Sequence, residues 1–512
     1  MSDTEGPQRT VICGAGPVGA LAALYAAKRG DDVHVYEMRD DIRTVATAPA
    51  GLTKSINLAL AERGLNAMRH ADSKELLESV LKDTVHMHSR MIHGRGKDGK
   101  VFQESQAYDT HGRYNHAVDR AGLNKRMLDV LEGLPNVTLH FNHKLTGANF
   151  AQNVAWFEQR RPGEKITAEN RPKEIEVSFD FVIGADGAHS ATRFHLMKYA
   201  NLSYQQKYID KLWCEFHIRP TTENGGFAID PNHLHIWPAD SVMFIAIPSS
   251  DGSFTCTLFA SADHFASLSK DPASSLPQFF DNHFPGVTPA LIPQPDLIDQ
   301  FERNAHLPLI SIKCSPHHYA ASVVIVGDAA HAMVPFYGQG MNAGLEDVRV
   351  LFEKLDSHGV YSPPPPVPSD SPSASAPPGA EDIPRSQRRA NALAAYTTQR
   401  VPDAHAINDL ALNNYYEMSS HVSSPVYKVR KWMEETVSVW MPWTGWRTQY
   451  TRVSFENQPY SDVIRQVRRQ GSILAGVMGV VALGAVGVGL MGVRRGGGML
   501  SFMRHILGGP VN

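Results

Sequence analysis

The sequence predicts an α/β fold, and three observations carry that reading. A glycine turn, Gly14-x-Gly16-x-x-Gly19, joins an apolar run to an alanine-rich stretch near the N-terminus. A block of short segments with period-two apolar alternation occupies the middle of the chain. Two further apolar runs, "FDFVIGADG" and "SVVIVGDAA", each end in a turn of glycine and aspartate. With 512 residues, 42% of them hydrophobic, the chain is long enough for two or three domains. A net charge of −3 offers no basic face, so no nucleic-acid partner is expected.

In chain order, "RTVIC" reads as a strand, "GAGPVG" as the turn and "ALAALYAAKRG" as a helix closed by Gly30. "DVHVYE" is a second strand ending on Glu37. This is a Rossmann-like unit. Gly14 permits the tight turn, Gly16 lets a pyrophosphate approach the backbone, and Gly19 lets helix and strand pack closely. The helix N-terminus offers its unpaired N–H groups to the phosphate. Glu37 can accept from a ribose hydroxyl, which favours FAD or NAD over NADP at this position.

Further on, "KLWCEFHIRP", "HLHIWPA", "SVMFIAIPS" and "FTCTLFAS" alternate with period two and predict an antiparallel sheet with one wet face. The expected organisation is a nucleotide-binding domain over 9–195, an inserted antiparallel sheet domain over 196–305 and a return to the first domain over 306–360. That return contains "GDAAHAMVPFYGQGMNAGLED". A strand ending in Gly-Asp, then a glycine loop and a helix start near Met341 and Asn342, lets backbone lie against a flat cofactor. Asp328 can bond a ribityl hydroxyl. The helix would aim its positive end at the pyrimidine edge of a flavin, where the reduced ring carries negative charge. Combined with the N-terminal unit, the loop predicts FAD.

Residues 361–389 are dominated by Pro, Ser and Ala and predict a disordered insertion, followed by a helical segment over 390–470. From Ser472 to Val493 the chain carries no charge, with Arg465, Arg468 and Arg469 before it and Arg494 and Arg495 after it. At ~1.5 Å per residue such a run crosses a bilayer core of ~30 Å, and the basic flanks suit headgroups better than a protein interior. A tail-anchored transmembrane helix is expected, with the catalytic body in the cytosol and the mitochondrial outer membrane as its seat. The N-terminal "MSDTEGPQRT" has neither a secretory apolar core nor an Arg-rich transit pattern. Cys13, Cys214, Cys256 and Cys314 are far apart and form no CxxC pair. Buried free thiols are expected, and neither zinc nor a disulfide framework.

"GAGPVG", "GADGAHSATR" and "GDAAHAMVPFYGQG" resemble the three fingerprints of single-component flavin aromatic hydroxylases, with the para-hydroxybenzoate hydroxylase fold. "KSINLALAERG", "RMIHG", "VDRAGLNKRML", "VPFYGQGMNAGLED" and "VPDAHAINDLALNNYYEM" narrow the resemblance to the kynurenine 3-monooxygenase family, over about residues 9–460. The resemblance implies FAD as cofactor, NADPH as a transient co-substrate, and hydroxylation of L-kynurenine to 3-hydroxykynurenine by O₂ through a flavin hydroperoxide. It implies FAD contacts at Gly14, Gly16, Val18, Gly19, Glu37, Arg39, Ala59, Arg120, Asp186, Asp328, Gly340, Met341 and Asn342. The wall beside the flavin would be Pro335, Phe336, Gly338, Gln339 and Gly340. For the substrate, within segment 85–115 and the helical segment, it implies Arg90, Tyr108, Asn414 and Tyr450. An Arg fork suits an amino-acid carboxylate better than Lys does.

Tyr337 stands where the family commonly carries an apolar aromatic, so a more polar pocket is expected there. His331 reads as a packed loop histidine rather than a general base. The chemistry needs no metal and no side-chain nucleophile. Two alternatives stay open: a hydroxylase or epoxidase acting on a phenol or a lipid, and a non-catalytic prenyl-binding carrier of related fold.

Overall fold

The computed structural model describes residues 6–44, 57–71, 74–96, 98–160, 170, 172–221, 226–239, 241–361, 383–416, 433–434, 436–438, 440–474 and 476. One sheet runs in the order His318–Tyr319, Val323–Ile325, Phe181–Gly184, Arg9–Cys13, Asp32–Tyr36, Val137–His140. Its strands are parallel except for the edge pair, with Cys13 beside both Tyr36 and Gly184. All three glycine motifs therefore leave the sheet at the carboxyl ends of neighbouring strands, where open α/β sheets hold their ligands.

Helix Pro17–Lys28 is buried along almost its whole length. It packs on the sheet and against helices Arg120–Glu132 and Gly340–Ser357, so an amphipathic pattern would be wrong for it; small alanines allow the close approach on every side. The opposite face of the sheet is covered by a three-stranded antiparallel sheet, His143–Asn149, Val154–Gln159 and Glu174–Ser178. Leu145, Phe157 and Val177 pack there on Val11 and Val182.

The second large sheet has the order Leu307–Ser315, Ser203–Ile218, Phe254–Ala260, Val242–Pro248, His233–Ala239, Ser89–Arg95, Val101–Ala107. It differs from the expected sheet in two ways. It is mixed rather than antiparallel: Ser89–Arg95 arrives from the nucleotide-binding part, not through a hairpin, and runs parallel to His233–Ala239. It also lacks a wet face at its centre, where Phe254–Ala260 is buried at every position. Helices Ala262–Leu268, Pro272–His283 and Gln294–Arg303, which the alternation did not predict, supply Phe265, Phe280 and Phe301 to a core with Phe216, Phe244 and Leu258. The sheet also takes in Leu307–Ser315, beyond the expected boundary at 305.

The ends of the Pro-rich stretch belong to the fold rather than to an insertion. The Tyr361 hydroxyl donates to Asp31 at 3.0 Å. Arg389, on helix Arg385–Tyr416, donates to Gln8 Oε1, the Ala321 carbonyl and the Asp180 carbonyl at 2.5–2.7 Å. Residues 362–382 lie outside the described residues. So does the expected membrane span apart from 472–474 and 476. Among the described residues no helix is long and apolar enough to cross a membrane. All four cysteines are buried and free; burial pushes the Cys214 and Cys314 thiols up to about 12, which keeps them protonated and unreactive.

Candidate active site

The first glycine turn is shaped by contacts a side chain would destroy. Gly14 has φ +99°, and a Cβ there would sit 2.5 Å from the Ala185 carbonyl oxygen; at Gly19 it would sit 1.9 Å from that of Gly14. At Gly16 a Cβ would meet nothing within 4 Å. The turn is thus tight beneath and open above, as a pyrophosphate cradle requires. The first intrahelical amide bond runs from Ala20 to the Gly16 carbonyl at 2.8 Å, which leaves the N–H groups of Val18 and Gly19 outside the ladder.

The third motif meets the first. Gly327 has φ +59°, and both it and Gly344 press against Val18, whose methyls would be 3.2 and 2.7 Å from an added Cβ. Asp328 begins a single helical turn, Asp328–His331, and the loop continues through Pro335–Tyr337 into helix Gly340–Ser357. That helix starts its ladder at Ala343 N to Gln339 O, 2.8 Å. The amides of Gly340, Met341 and Asn342 therefore point out of a second helix N-terminus. Two such ends converge on one cavity of about 430 Å³, lined by Gly16, Val18, Ala59, Arg120, Asp328, Pro335, Phe336, Gly338, Gly340 and Met341 among others. Two positive helix ends, an arginine and an open glycine cradle fit a dinucleotide carrying a flat, negatively charged ring.

The same cavity extends to the second sheet. Met243, Ile245 and Ile247 face it from one strand, and their cross-strand partners Phe259, Thr257 and Thr255 face it from the next. The intervening Phe244, Ala246, Cys256 and Leu258 point into the helical core. The period-two signal thus separates cavity from core, not water from core.

At the far end Arg90 lies over two aromatic faces, with its guanidinium carbon 4.6 Å from the Tyr450 ring centre and 5.6 Å from that of Tyr108. The two tyrosine rings stack at 5.0 Å, and Tyr337 stacks on Tyr450 at 5.9 Å. All four line the cavity. Asn115 donates to the Tyr450 hydroxyl at 2.9 Å, and the Tyr108 hydroxyl is hydrogen-bonded to both Tyr450 and Arg90. Burial, and next the neighbouring Tyr450, raise the Tyr108 hydroxyl well above its ordinary value against the opposing pull of Arg90. Tyr108 is therefore a neutral hydrogen-bond donor beside a fixed cation.

Other expected contacts are occupied within the protein. Glu37 accepts from the amides of Ala15 and Arg39 at 2.9 and 3.0 Å; it and the exposed Arg39 lie outside the cavity lining. Asp186 accepts from Ser190 Oγ and from the amide and hydroxyl of Thr192 at 2.5–3.0 Å, so its carboxylate caps helix Ala191–Leu196 while Ala185 and Gly187 reach the cavity. The Asn342 side chain accepts from the Ala61 amide and donates to the Ala59 and Gly338 carbonyls at 2.8–2.9 Å; only its backbone amide is left for a ligand. Buried Asn414 donates to the Phe336 carbonyl at 2.7 Å, bracing the wall from behind. Gln339 is likewise buried behind the wall, accepting from the Tyr460 hydroxyl at 3.2 Å.

His331 is a packed histidine, 2.5 Å from Asp347 Oδ2. It belongs to a buried ionic network that sequence reasoning missed. Asp347 also accepts from the Gly327 amide at 2.8 Å and from Arg400 Nε at 2.5 Å. Arg400 and Arg63 donate to the two oxygens of Glu346, both at 2.8 Å. Tyr460 lies beneath Arg63, 3.8 Å from ring centre to guanidinium. The network ties the start of the flavin loop to helix Arg385–Tyr416. Arg193 supplies a second tie, donating to the carbonyls of Ala329 and Ala188 at 2.7 Å each. Among the described residues no cluster of metal-ligating side chains occurs.

With this geometry in place, the likenesses to known proteins are specific. Residues 8–359 match the FAD binding domain family. The chain is 58% identical to a kynurenine 3-monooxygenase of Aspergillus terreus over 95% of this chain and 94% of that one. It is 56% identical to a kynurenine 3-monooxygenase of Neurospora crassa over 98% and 94%. Among solved structures, 2-methyl-3-hydroxypyridine-5-carboxylic acid oxygenase superposes with a TM-score of 0.58 at 17% identity, over 82% of this chain and 95% of that one, a likeness of fold alone. Identity above half over nearly the whole length, together with the matched FAD domain, places this chain in the kynurenine 3-monooxygenase family of FAD-dependent monooxygenases.

Proposed function

We propose that the protein hydroxylates L-kynurenine to 3-hydroxykynurenine with FAD, NADPH and O₂. The observation that carries this reading is the single cavity whose one end is a dinucleotide cradle and whose other end is a cation–tyrosine cluster. Near relatives of that name support it. When bound, FAD supplies hydride acceptance from NADPH and activation of O₂ for insertion of one oxygen atom.

The chain's own residues would hold FAD and aim the substrate. Gly14, Gly16 and Gly19 shape the cradle, and Val18 sits at the helix end that faces the diphosphate with Arg120. Asp328 would bond the ribityl chain, and the amides of Gly340, Met341 and Asn342 would face the ring's electron-rich edge. Arg90 takes the substrate carboxylate, and the Tyr108 and Tyr450 hydroxyls add neutral hydrogen bonds. The aniline ring would lie among Met243, Ile245 and Phe259 and the wall at Pro335 and Phe336, with its amine activating the adjacent ring carbon. Asn414 and Gln339 keep that wall in place. Position and a dry, apolar enclosure are the protein's contributions to rate. The purified holoenzyme is expected to form 3-hydroxykynurenine in step with NADPH oxidation and to leave a simple phenol unchanged; turnover of the phenol with kynurenine inert would overturn the assignment.

We also propose that the uncharged run 472–493 anchors the chain in a membrane, the mitochondrial outer membrane by the moderate hydropathy and doubly basic flanks of the run. A chain ended at Gln470 is expected to be released from membranes by a salt wash that leaves the full chain in the pellet. Equal retention of the two chains after that wash would remove this reading.

A further inference from the structure

Trp440, Met441 and Trp443 are 74%, 47% and 79% exposed, far more than aromatic side chains ordinarily are in a folded body. The loop that bears them is well tied. Pro442–Thr444 is a helical turn, Thr444 Oγ1 donates to the Met441 carbonyl at 2.7 Å and accepts from the Trp446 amide at 3.3 Å, and Arg452 donates to the Gly445 carbonyl at 2.7 Å. These bonds order the loop from Met441 to Trp446.

The loop also has a definite position. The Gln470 carboxamide, turned to satisfy both its groups, donates to the Arg447 carbonyl at 3.1 Å and accepts from the Arg447 amide at 3.3 Å. Gln470 lies two residues before the uncharged run that starts at Ser472. Arg465, Arg468 and Arg469 are exposed on the helical turns leading to it, and Ile473 is 49% exposed. The Gln470–Arg447 pair thus joins the loop that carries the exposed indoles and the thioether to the helix that carries these arginines and leads into the uncharged run.

We infer that this loop and helix form a membrane-docking surface: Trp440, Met441 and Trp443 seat in the headgroup layer of a bilayer carrying anionic lipid, beside Arg465, Arg468 and Arg469. Indoles prefer that layer because it takes an apolar ring and a polar N–H together, and arginines beside them gain from anionic headgroups. A protein partner would satisfy the indoles alone; the basic belt and the uncharged run beside them call for a bilayer. The inference rests on the membrane reading above but uses different residues. A tail alone leaves the body free to turn about it, whereas the loop adds a second point of contact and fixes which face meets the membrane.

The test uses the full chain with FAD, reconstituted in phosphatidylcholine vesicles containing some phosphatidylserine. Lipids brominated near the headgroup replace plain ones, and tryptophan emission is recorded. The chain has seven tryptophans, so the reading is the difference between the wild type and Trp440→Ser/Trp443→Ser. The wild type is expected to be quenched, and the variant to lose most of that quenching while it still pellets with vesicles and oxidises NADPH with kynurenine. Equal quenching of both proteins overturns the docking surface and leaves the tail anchor standing. A full chain that stays in the supernatant overturns both. Loss of tryptophan exposure with rising protein concentration, without lipid, assigns the patch to a second copy and also overturns docking.

Discussion

Replacing Arg90 by Ala is expected to weaken kynurenine binding by about 2–4 kcal/mol, roughly 30- to 1000-fold in Kd, with the flavin retained. The guanidinium sits on the stacked faces of Tyr108 and Tyr450, at 5.6 and 4.6 Å from their centres. It is the cation that lines this end of the cavity, and the tyrosine hydroxyls carry no charge to replace it. Arg90→Lys should fall between the two, because it keeps the charge and loses the fork. Equilibrium titration of the bound flavin's absorbance with kynurenine measures both variants. If Arg90→Ala loses its flavin, or binds kynurenine as the wild type does, the residue has been given the wrong task.

The second large effect is expected at Arg400, which does not line the cavity. Arg400→Met leaves Asp347 and Glu346 buried with fewer cations, and breaking a buried pair of this kind costs about 3–5 kcal/mol. Asp347 accepts from the Gly327 amide at 2.8 Å, so the loss reaches the loop that would cradle the flavin. Lower unfolding temperature and earlier flavin release, followed by flavin fluorescence on heating, are the expected results. The acid limb should move as well. Burial alone would raise the Asp347 carboxyl, but His331 and Arg400 overcome it and hold it below its ordinary 3.8. A carboxylate depressed in the folded state stabilises the fold above its unfolded-state value and loses that contribution as pH falls toward the folded value. Wild-type stability from this group therefore falls only below about pH 4. With Arg400 gone the folded value rises and the contribution shrinks, so the variant should lose its flavin at a higher pH on acidification. An unchanged acid limb would contradict this account of the network.

What the sequence made legible was what depends on local backbone. Gly14, Gly19 and Gly327 are needed where a Cβ would collide or where φ is positive, and such needs leave glycine at fixed spacing. Faces of strands were harder. Met243, Ile245 and Ile247 alternate with Phe244 and Ala246, yet alternation does not say whether the second environment is water or a cavity. That ambiguity also hid the helices that cover the sheet. The ionic network joins positions 63, 346, 347 and 400, whose pairing exists only once the chain is folded. For Asp186, Asn342 and Asn414 the motif marked the right neighbourhood, but each side chain also bonds the protein's own backbone, which no spacing reveals.

Anaerobic mixing of the holoenzyme with NADPH, with and without kynurenine, tests most directly the claim that one cavity serves both flavin and amino-acid arene. The flavin absorbance is expected to bleach, and to bleach many times faster when kynurenine occupies the Arg90 end. Bleaching at the same rate in its presence and absence, or a purified protein with no flavin absorbance, would contradict the account.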